Sequence, residues 1–328
     1  MRRDGSQVFH VSEAEAGQSL LVLLRRWQQE NAPTAAASLL RNRQVQIDGN
    51  LCEDPQRRMK SGEVVKVLPH TIAAPPTEAD IRIHFVDEHL IVVEKPSGMT
   101  TMPHEEEAHW SARRRRREPT LEDLLPGVLA KASSPSRGRS KRAARPPRVI
   151  PVHRLDRDTS GLMVFARTVA AERSLVEQFR EHSIDRAYLA IVLGEIAEHT
   201  IESFLARDRG DGKRGSVSDS DQGQHAVTHV RPIELIGGHA LVECRLETGR
   251  THQIRIHLSE AGHPVCGDKD YRSPLGQKPI VDRSGAPRLA LHAAELGFEH
   301  PLTGEPLLFE TRLPRDLSNF LKRLRKDS

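Results

Sequence analysis

Apolar positions follow two rhythms along this chain, and one long segment follows neither. The first rhythm is helical. Leu20, Leu21, Leu23, Leu24 and Trp27 recur on one face, and Pro33 opens a second, alanine-rich stretch from Thr34 into Leu39 and Leu40. Next come Val45-Gln46-Ile47, a turn at Asp48-Gly49-Asn50, and a strand Glu63-Val64-Val65-Lys66-Val67 introduced by Ser61-Gly62. The pattern predicts a small α/β module over residues 17–69. Residues 1–16 read as an N-terminal tail, and 70–80, with Ala73-Ala74-Pro75-Pro76, as a linker.

The second rhythm has period two. It begins at Ile81-Arg82-Ile83-His84-Phe85 and Leu90-Ile91-Val92-Val93-Glu94, and resumes at Leu162 to Ala166, Ala187 to Leu193, Ala226 to Leu235, His239 to Leu246 and Thr251 to Leu258. One helix, Ala170 to His182, interrupts it. No βαβ alternation with Gly-rich crossovers appears, so the expected class is α+β, with a mixed, largely antiparallel sheet over residues 81–320. Residues 321–328 read as a basic tail. The segment that breaks both rhythms is 105–148. It holds five consecutive arginines, Arg113 to Arg117, a short amphipathic helix over Thr120 to Leu125, and a Ser/Pro/Arg/Lys tract from Ser133. A basic, disordered insertion is expected there, because little in its flanks could offset chain entropy.

Composition narrows the function classes. The chain has 328 residues, 29% of them charged, and a net charge of +4. No run of eighteen apolar residues exists, so no membrane span is expected, and the first residues lack an apolar signal core. Three separated cysteines, Cys52, Cys244 and Cys266, form no Cys-x-x-Cys pair; that argues against a zinc ribbon or disulfide framework and for the cytoplasm. The basic residues are clustered, which points to a polyanionic partner.

Three segments can carry chemistry. In Val152-His153-Arg154-Leu155-Asp156-Arg157-Asp158-Thr159-Ser160-Gly161, arginines flank two carboxylates and favour their ionised form, suiting a nucleophile or base. A surface turn with salt bridges fits these residues too. The second segment, Thr248-Gly249-Arg250-Thr251-His252-Gln253-Ile254-Arg255-Ile256-His257-Leu258, reads as a strand. It would put Thr251, Gln253, Arg255 and His257 on a donor-lined face and His252 on the apolar one as a structural histidine. His252 and His257 have no metal-binding neighbours in sequence, so no metal site is expected. In the third segment, Tyr188 is one of only two tyrosines, and its ring serves equally as a base-stacking platform or a core residue.

Residues 17–69 resemble the S4 RNA-binding domain, through the two helices, the Arg41-x-x-x-Val45-x-Ile47-Asp48-Gly49 corner and the Gly62-Glu63-x-Val65 strand. That resemblance implies an RNA face of Arg41, Arg43, Arg57, Arg58 and Lys60, supplying phosphate contacts. The rest of the chain resembles the Rlu-type pseudouridine synthases. The resemblance is carried by Glu94-Lys95-Pro96-Ser97-Gly98-Met99, the Asp156 segment, Arg186-Ala187-Tyr188-Leu189-Ala190, the Arg255 segment and Arg288-Leu289-Ala290-Leu291-His292-Ala293. Arg186 stands where the family usually has Lys, a change that keeps charge but not geometry.

The resemblance implies a sheet split by an active-site cleft. Asp156 would be the catalytic aspartate, Arg255 its partner, and Tyr188 would lie against uracil. Lys95, His153, Arg154, Arg157, Arg250, Gln253 and His257 would serve substrate RNA. Only the resemblance chooses Asp156 over Asp158. It also implies a cofactor-free, monomeric enzyme acting on ribosomal RNA, large-subunit rRNA before tRNA. A noncatalytic RNA-binding or ribosome-assembly factor is the rival of another class. A nuclease or glycosidase would need further clustered acids.

Overall fold

The computed structural model describes residues 6–28, 33–48, 50–68, 76–103, 119–132, 148–209, 212, 214–218 and 220–327. Two compact units result, Met1–Pro75 and Pro76–Ser328. In the first, helix Leu20–Trp27 buries Leu20, Leu23 and Leu24, and helix Pro33–Arg41 adds Ala36 and Leu40. They pack with Val45, Ile47, Val65 and Val67 from a four-stranded antiparallel sheet. Its strands are β1 Gln7–His10, β2 Val45–Ile47, β3 Asn50–Leu51 and β4 Val64–Val67, in the order β1-β4-β2-β3. Residues 1–16 are therefore no simple tail. Gln7 to His10 pair with Val67 to Val64, and Phe9 stacks on Trp27 at 4.9 Å between ring centres. The apolar content of β1 is too small to be read as a strand alone; the edge of β4 supplies its backbone partners.

The second unit is built on an 11-stranded mixed sheet. Its strands are β5 Arg82–Val86, β6 Leu90–Lys95, β7 Ile150–Pro151, β8 Ser160–Ala166, β9 Asp185–Leu193, β10 His199–Ala206, β11 Gly215–Val217, β12 Gln224–Ile236, β13 His239–Leu246, β14 Leu291–Glu299 and β15 Pro306–Glu310. The main order is β11-β10-β12-β13-β9-β14-β8-β6-β5, with β15 on β14 and β7 on β8. Only β14 with β8 is parallel among these pairs, at His292 with Ser160 and Ala293 with Gly161. Strands β6 and β8 are buried along their whole length, which explains their continuous apolar runs.

Three expectations change here. Gln253–Glu260 is a helix, not a strand. His252, with φ of 60°, turns the chain into it, and seven consecutive residues from Gln253 to Ser259 are buried. A helix buried all round shows no amphipathic stripe, so the apolar alternation of Ile254, Ile256 and Leu258 mimicked a strand. Residues 321–328 are no tail either, because helix Arg315–Asp327 buries Leu317, Phe320, Leu321 and Leu324 against the main core.

The third change concerns 105–148. The arginine run and the Ser/Pro tract lie outside the described residues; the expected short helix is there but runs on from Leu121 to Ala132 and belongs to the core through Leu121, Leu125 and Leu129. Thr120 caps it: Asp123 N–H donates to Thr120 Oγ1 at 3.3 Å, and Thr120 Oγ1–H to Asp123 Oδ2 at 2.8 Å. Its first free N–H groups, of Leu121 and Glu122, donate to the carbonyls of Thr100 and Thr101 at 2.9 and 3.1 Å.

Candidate active site

A cavity of about 530 Å³ opens among the 152–159 loop, strand β9, the end of β13 and the helix Gln253–Glu260. That volume lies within the range of small-ligand sites. Asp156, Tyr188 and Arg255 all line it. Asp156 Oδ2 is 3.5 Å from Arg255 Nη1, and Oδ1 is 3.6 Å from His252 Nε2. Asp158 is exposed and is absent from the cavity wall.

Arg255 is held from behind. Its Nε and Nη2 donate to the two oxygens of Asp268 at 2.7 and 2.8 Å, and Nη2 also reaches Asp270 at 2.8 Å. The side chain of Asp268 is 0% exposed and accepts the backbone N–H groups of Asp270 and Tyr271 as well. Burial alone would lower the affinity of Arg255 for its proton. The Asp268 carboxylate, with Asp270 and Asp156, overrides burial and raises it. The guanidinium stays charged and points its remaining edge at Asp156.

Tyr271 covers this arginine at 4.9 Å, and its hydroxyl is 2.8 Å from His252 Nδ1. His252 was expected on an apolar face. The helix start instead turns it to the cavity, where burial, and the Arg255 charge in part, hold its pKa below the ordinary histidine value. Asp268, Tyr271 and His252 are thus site residues that sequence reasoning missed. The available signal was Gly267-Asp268-Lys269-Asp270-Tyr271, a carboxylate-rich turn holding the other of the two tyrosines.

The loop carrying Asp156 is tied down by backbone contacts. Thr101 Oγ1 donates to Leu155 O at 2.9 Å and accepts Leu155 N–H at 3.2 Å. Gly98 N–H donates to Arg157 O at 2.8 Å, Arg157 Nε returns to Gly98 O at 3.2 Å, and Ser97 Oγ donates to Asp158 O at 2.7 Å. Lys95 completes the clasp. It is fully buried, and its Nζ donates to the carbonyls of Met99, Arg157 and Pro96 at 2.8, 3.0 and 3.2 Å. Burial pushes its pKa down to about 7 against the pull of Asp156 and Asp158. Lys95 therefore orders this loop and presents no charge to RNA, a correction to its expected role.

Two further residues leave the expected donor row. His257 is buried, with Nδ1 2.9 Å from Thr228 Oγ1 and Nε2 3.0 Å from Ser203 Oγ; burial lowers its pKa to about 4. Gln253 borders the cavity but is buried, bonding Val227 O, Thr228 Oγ1, Thr248 Oγ1 and Arg250 N. Both knit the helix to β12; neither projects a free donor. His153 lines the cavity with its ring 4.5 Å from Phe179, while Nε2 accepts Val164 N–H at 3.0 Å. Burial lowers its pKa to about 3, so the ring is neutral. Arg154 is exposed at the rim, and Arg250 lines the wall with Nε donating to His225 O at 2.9 Å. Arg157 lies outside the lining. Tyr188 stands on β9 opposite Cys244 and Ala293, and burial raises its pKa, so its hydroxyl keeps its proton.

In the N-terminal unit Arg41, Arg58 and Lys60 are exposed. Arg43 and Arg57 form ion pairs with Glu53 and Glu63 at 2.6 and 2.7 Å. Among the described residues no cluster of three or more His, Cys, Asp or Glu is arranged to hold a metal ion, and no helix is long and apolar enough to cross a membrane.

A family model described as RNA pseudouridylate synthase matches residues 89–260, which include Lys95, Asp156, Tyr188 and Arg255. A Zymomonas mobilis protein named ribosomal large subunit pseudouridine synthase D is 38% identical over 281 residues, covering 84% of each chain. A protein of the same name from Xanthomonas campestris is 33% identical over 328 residues, covering 97% of this chain and 92% of its own. Among solved structures, human RNA pseudouridylate synthase domain containing 4 is similar with a TM-score of 0.57 and 26% identity, over 74% of this chain and 93% of that one. With the matched segment holding the clamped arginine and the cavity carboxylate, this chain belongs to the RNA pseudouridylate synthase family.

Proposed function

We propose that this enzyme isomerises uridine to pseudouridine in large-subunit ribosomal RNA, with Asp156 as the catalytic carboxylate. The observation that carries the reading is the single carboxylate among the described residues lining the cavity, faced by an arginine that two other aspartates hold in place. The names of the relatives, ribosomal large subunit pseudouridine synthases, support the choice of RNA. Base pairing hides uracil inside a stem, so the target nucleotide is flipped into the cavity, which is the active-site cleft. The N1–C1′ bond breaks, the base turns, C5 joins C1′, the C5 proton leaves and N1 takes up a proton. No net redox change or hydrolysis occurs, and the reaction needs no cofactor.

Asp156 acts as an anion, attacking C1′ or C6 or removing the 2′ proton. Arg255 keeps it ionised and aimed. The protonated Tyr188 lies against the uracil ring. Arg154 and Arg250 contact the RNA at the rim and wall. The N-terminal unit is an S4-type RNA-binding module, with Arg41, Arg58 and Lys60 supplying phosphate contacts remote from the chemistry, joined by Arg43 and Arg57 when they exchange carboxylate for phosphate. The enzyme acts as a monomer in the cytoplasm.

The test compares wild type, Asp156→Asn and Asp158→Asn on total rRNA and tRNA from a host lacking the enzyme, mapping pseudouridine. Asp156→Asn abolishes new sites in large-subunit rRNA, and Asp158→Asn keeps them. Full activity in Asp156→Asn would overturn the assignment, and sites confined to tRNA would move the substrate.

A further inference from the structure

A second cavity, of about 460 Å³, adjoins the first and shares four of its lining residues: His182, Arg186, Leu246 and Arg250. The two arginines at this junction differ from the charged residues beside them on the same wall. Arg245, on the same wall, is held by Glu295 at 2.7 and 3.2 Å. His229 faces Glu247 and His225 faces Glu202, each at 2.7 Å. Arg186 and Arg250 have no carboxylate partner among the described residues. Arg186 donates to Glu247 O at 3.4 Å, and Arg250 to His225 O at 2.9 Å. The Nε of Arg186 is buried with no hydrogen-bond partner at all. Burial, with the Arg250 charge in part, lowers the pKa of Arg186. A largely buried guanidinium without a carboxylate partner, as at Arg186, is costly unless an anion joins it.

The backbone is shaped around this arrangement. A side-chain carbon on Gly249 would stand 2.5 Å from Arg186 Nη1, so only glycine leaves the guanidinium its place between β9 and the 248–252 turn. Gly249 is absent from the positive-φ residues, so an added methyl group would act by displacing the end of the Arg186 side chain and not through the backbone. Phe179, 5.7 Å from the Arg186 guanidinium carbon, supports it from the other side.

We propose that Arg186 and Arg250 form a phosphate-binding subsite, gripping the phosphodiester that joins the flipped uridine to its neighbour, with the neighbouring nucleotide in the second cavity. This rests on the reading of the first cavity as the uridine site. A charge-assisted, two-nitrogen grip on one phosphate fixes the register of the strand, which is what flipping one nucleotide requires. The departure from Lys to Arg at position 186 fits this task, since a guanidinium can present two parallel donors.

The experiment measures binding of labelled single-stranded tetrauridylates to the full chain by fluorescence anisotropy, across salt concentrations. One series replaces each phosphate in turn by a neutral methylphosphonate. Wild type loses about tenfold in affinity at one linkage, and Arg186→Gln loses less than about twofold there because its contact is already gone. Arg186→Gln also lowers the salt slope by about 0.7, the value for one single-strand phosphate, whereas Arg186→Lys keeps it. Gly249→Ala, which displaces the guanidinium, behaves like Arg186→Gln in the methylphosphonate series. Equal penalties in wild type and Arg186→Gln, or an unchanged salt slope, overturn the subsite. If Arg186→Gln fails to fold, the wild-type series and Gly249→Ala decide, and a series in which no linkage stands out overturns it. The catalytic reading is scored apart, by pseudouridine formation in large-subunit rRNA: an inactive wild type would sink that reading while the phosphate result stood.

Discussion

Arg255 gives Asp156 only one of its nitrogens, Nη1 at 3.5 Å, while Nε and Nη2 are committed to Asp268 at 2.7 and 2.8 Å. The division of labour matters physically. A guanidinium free to move could fold over the carboxylate in a two-point grip and block it. Clamped by a buried acid, it presents a single edge, which holds charge beside Asp156 and leaves the other carboxylate oxygen open toward the cavity and His252.

Asp268→Asn should therefore cost both stability and turnover. Breaking a buried pair by removing one partner costs about 3 kcal/mol or more. Urea denaturation should show that loss, and single-turnover pseudouridine formation should fall by about a hundredfold through the misplaced Arg255. A variant with native stability and native rate would show that the clamp is dispensable.

Lys95 gives a pH signature. Its folded pKa of about 7 lies below the ordinary 10.5, so between those values the unfolded chain binds the extra proton. Its burial penalty is complete below pH 7 and is relieved as pH rises toward 10.5. Wild-type stability should gain up to about 1.4 kcal/mol per pH unit relative to Lys95→Met over that window. Parallel stability curves for the two proteins from pH 7 to 9 would contradict this.

Buried histidines set the acid limb. His153 and His292 are depressed to about 3, and His257 to about 4, burial being the main cause in each. All three are neutral when folded and take up protons when unfolded below pH 6.5. Their contribution is complete above that pH and is lost on acidification toward the folded values, by up to about 1.4 kcal/mol per pH unit each. His292→Met should reduce the slope between pH 6.5 and 5 by one proton. An unaltered slope would mean that His292 titrates alike in both states.

Gly161 leaves no room for a methyl group. Its φ is +128°, and an added carbon would strike the backbone of Ala293 where β8 meets β14. Gly161→Ala should lower stability by more than about 3 kcal/mol, through strain and lost ladder bonds. The shift in thermal midpoint measures it; a drop of under one degree would be incompatible with the packing described.

How much of this was legible in the chain depends on where the information sits. Strands such as Leu90–Lys95 and His239–Leu246 declare themselves because local alternation or continuous apolarity matches their burial. The charged turn at Asp156, the scarce Tyr188 and the arginine at 255 were visible as chemistry, and the cavity brings all three together. The helix Gln253–Glu260 was not, since its polar residues are satisfied by distant partners: Gln253 by Thr228 and Thr248, and His257 by Ser203 and Thr228. Nor could residues 7–10 announce a strand whose partner among the described residues is β4.

The amino-acid sequence by itself determined the residue types, the turns and most strands, and through family resemblance the motif proposed as catalytic. Tertiary structure decided which charges meet. Asp268 is 13 residues from Arg255 in the chain yet is its firmest partner. Lys95, read as an RNA contact, became a buried clasp of the Asp156 loop, with Arg157 O as a partner 62 residues away. The reason is physical: whether a charge serves substrate or scaffold depends on its desolvation and on the acceptors brought to it, and both are properties of the folded chain.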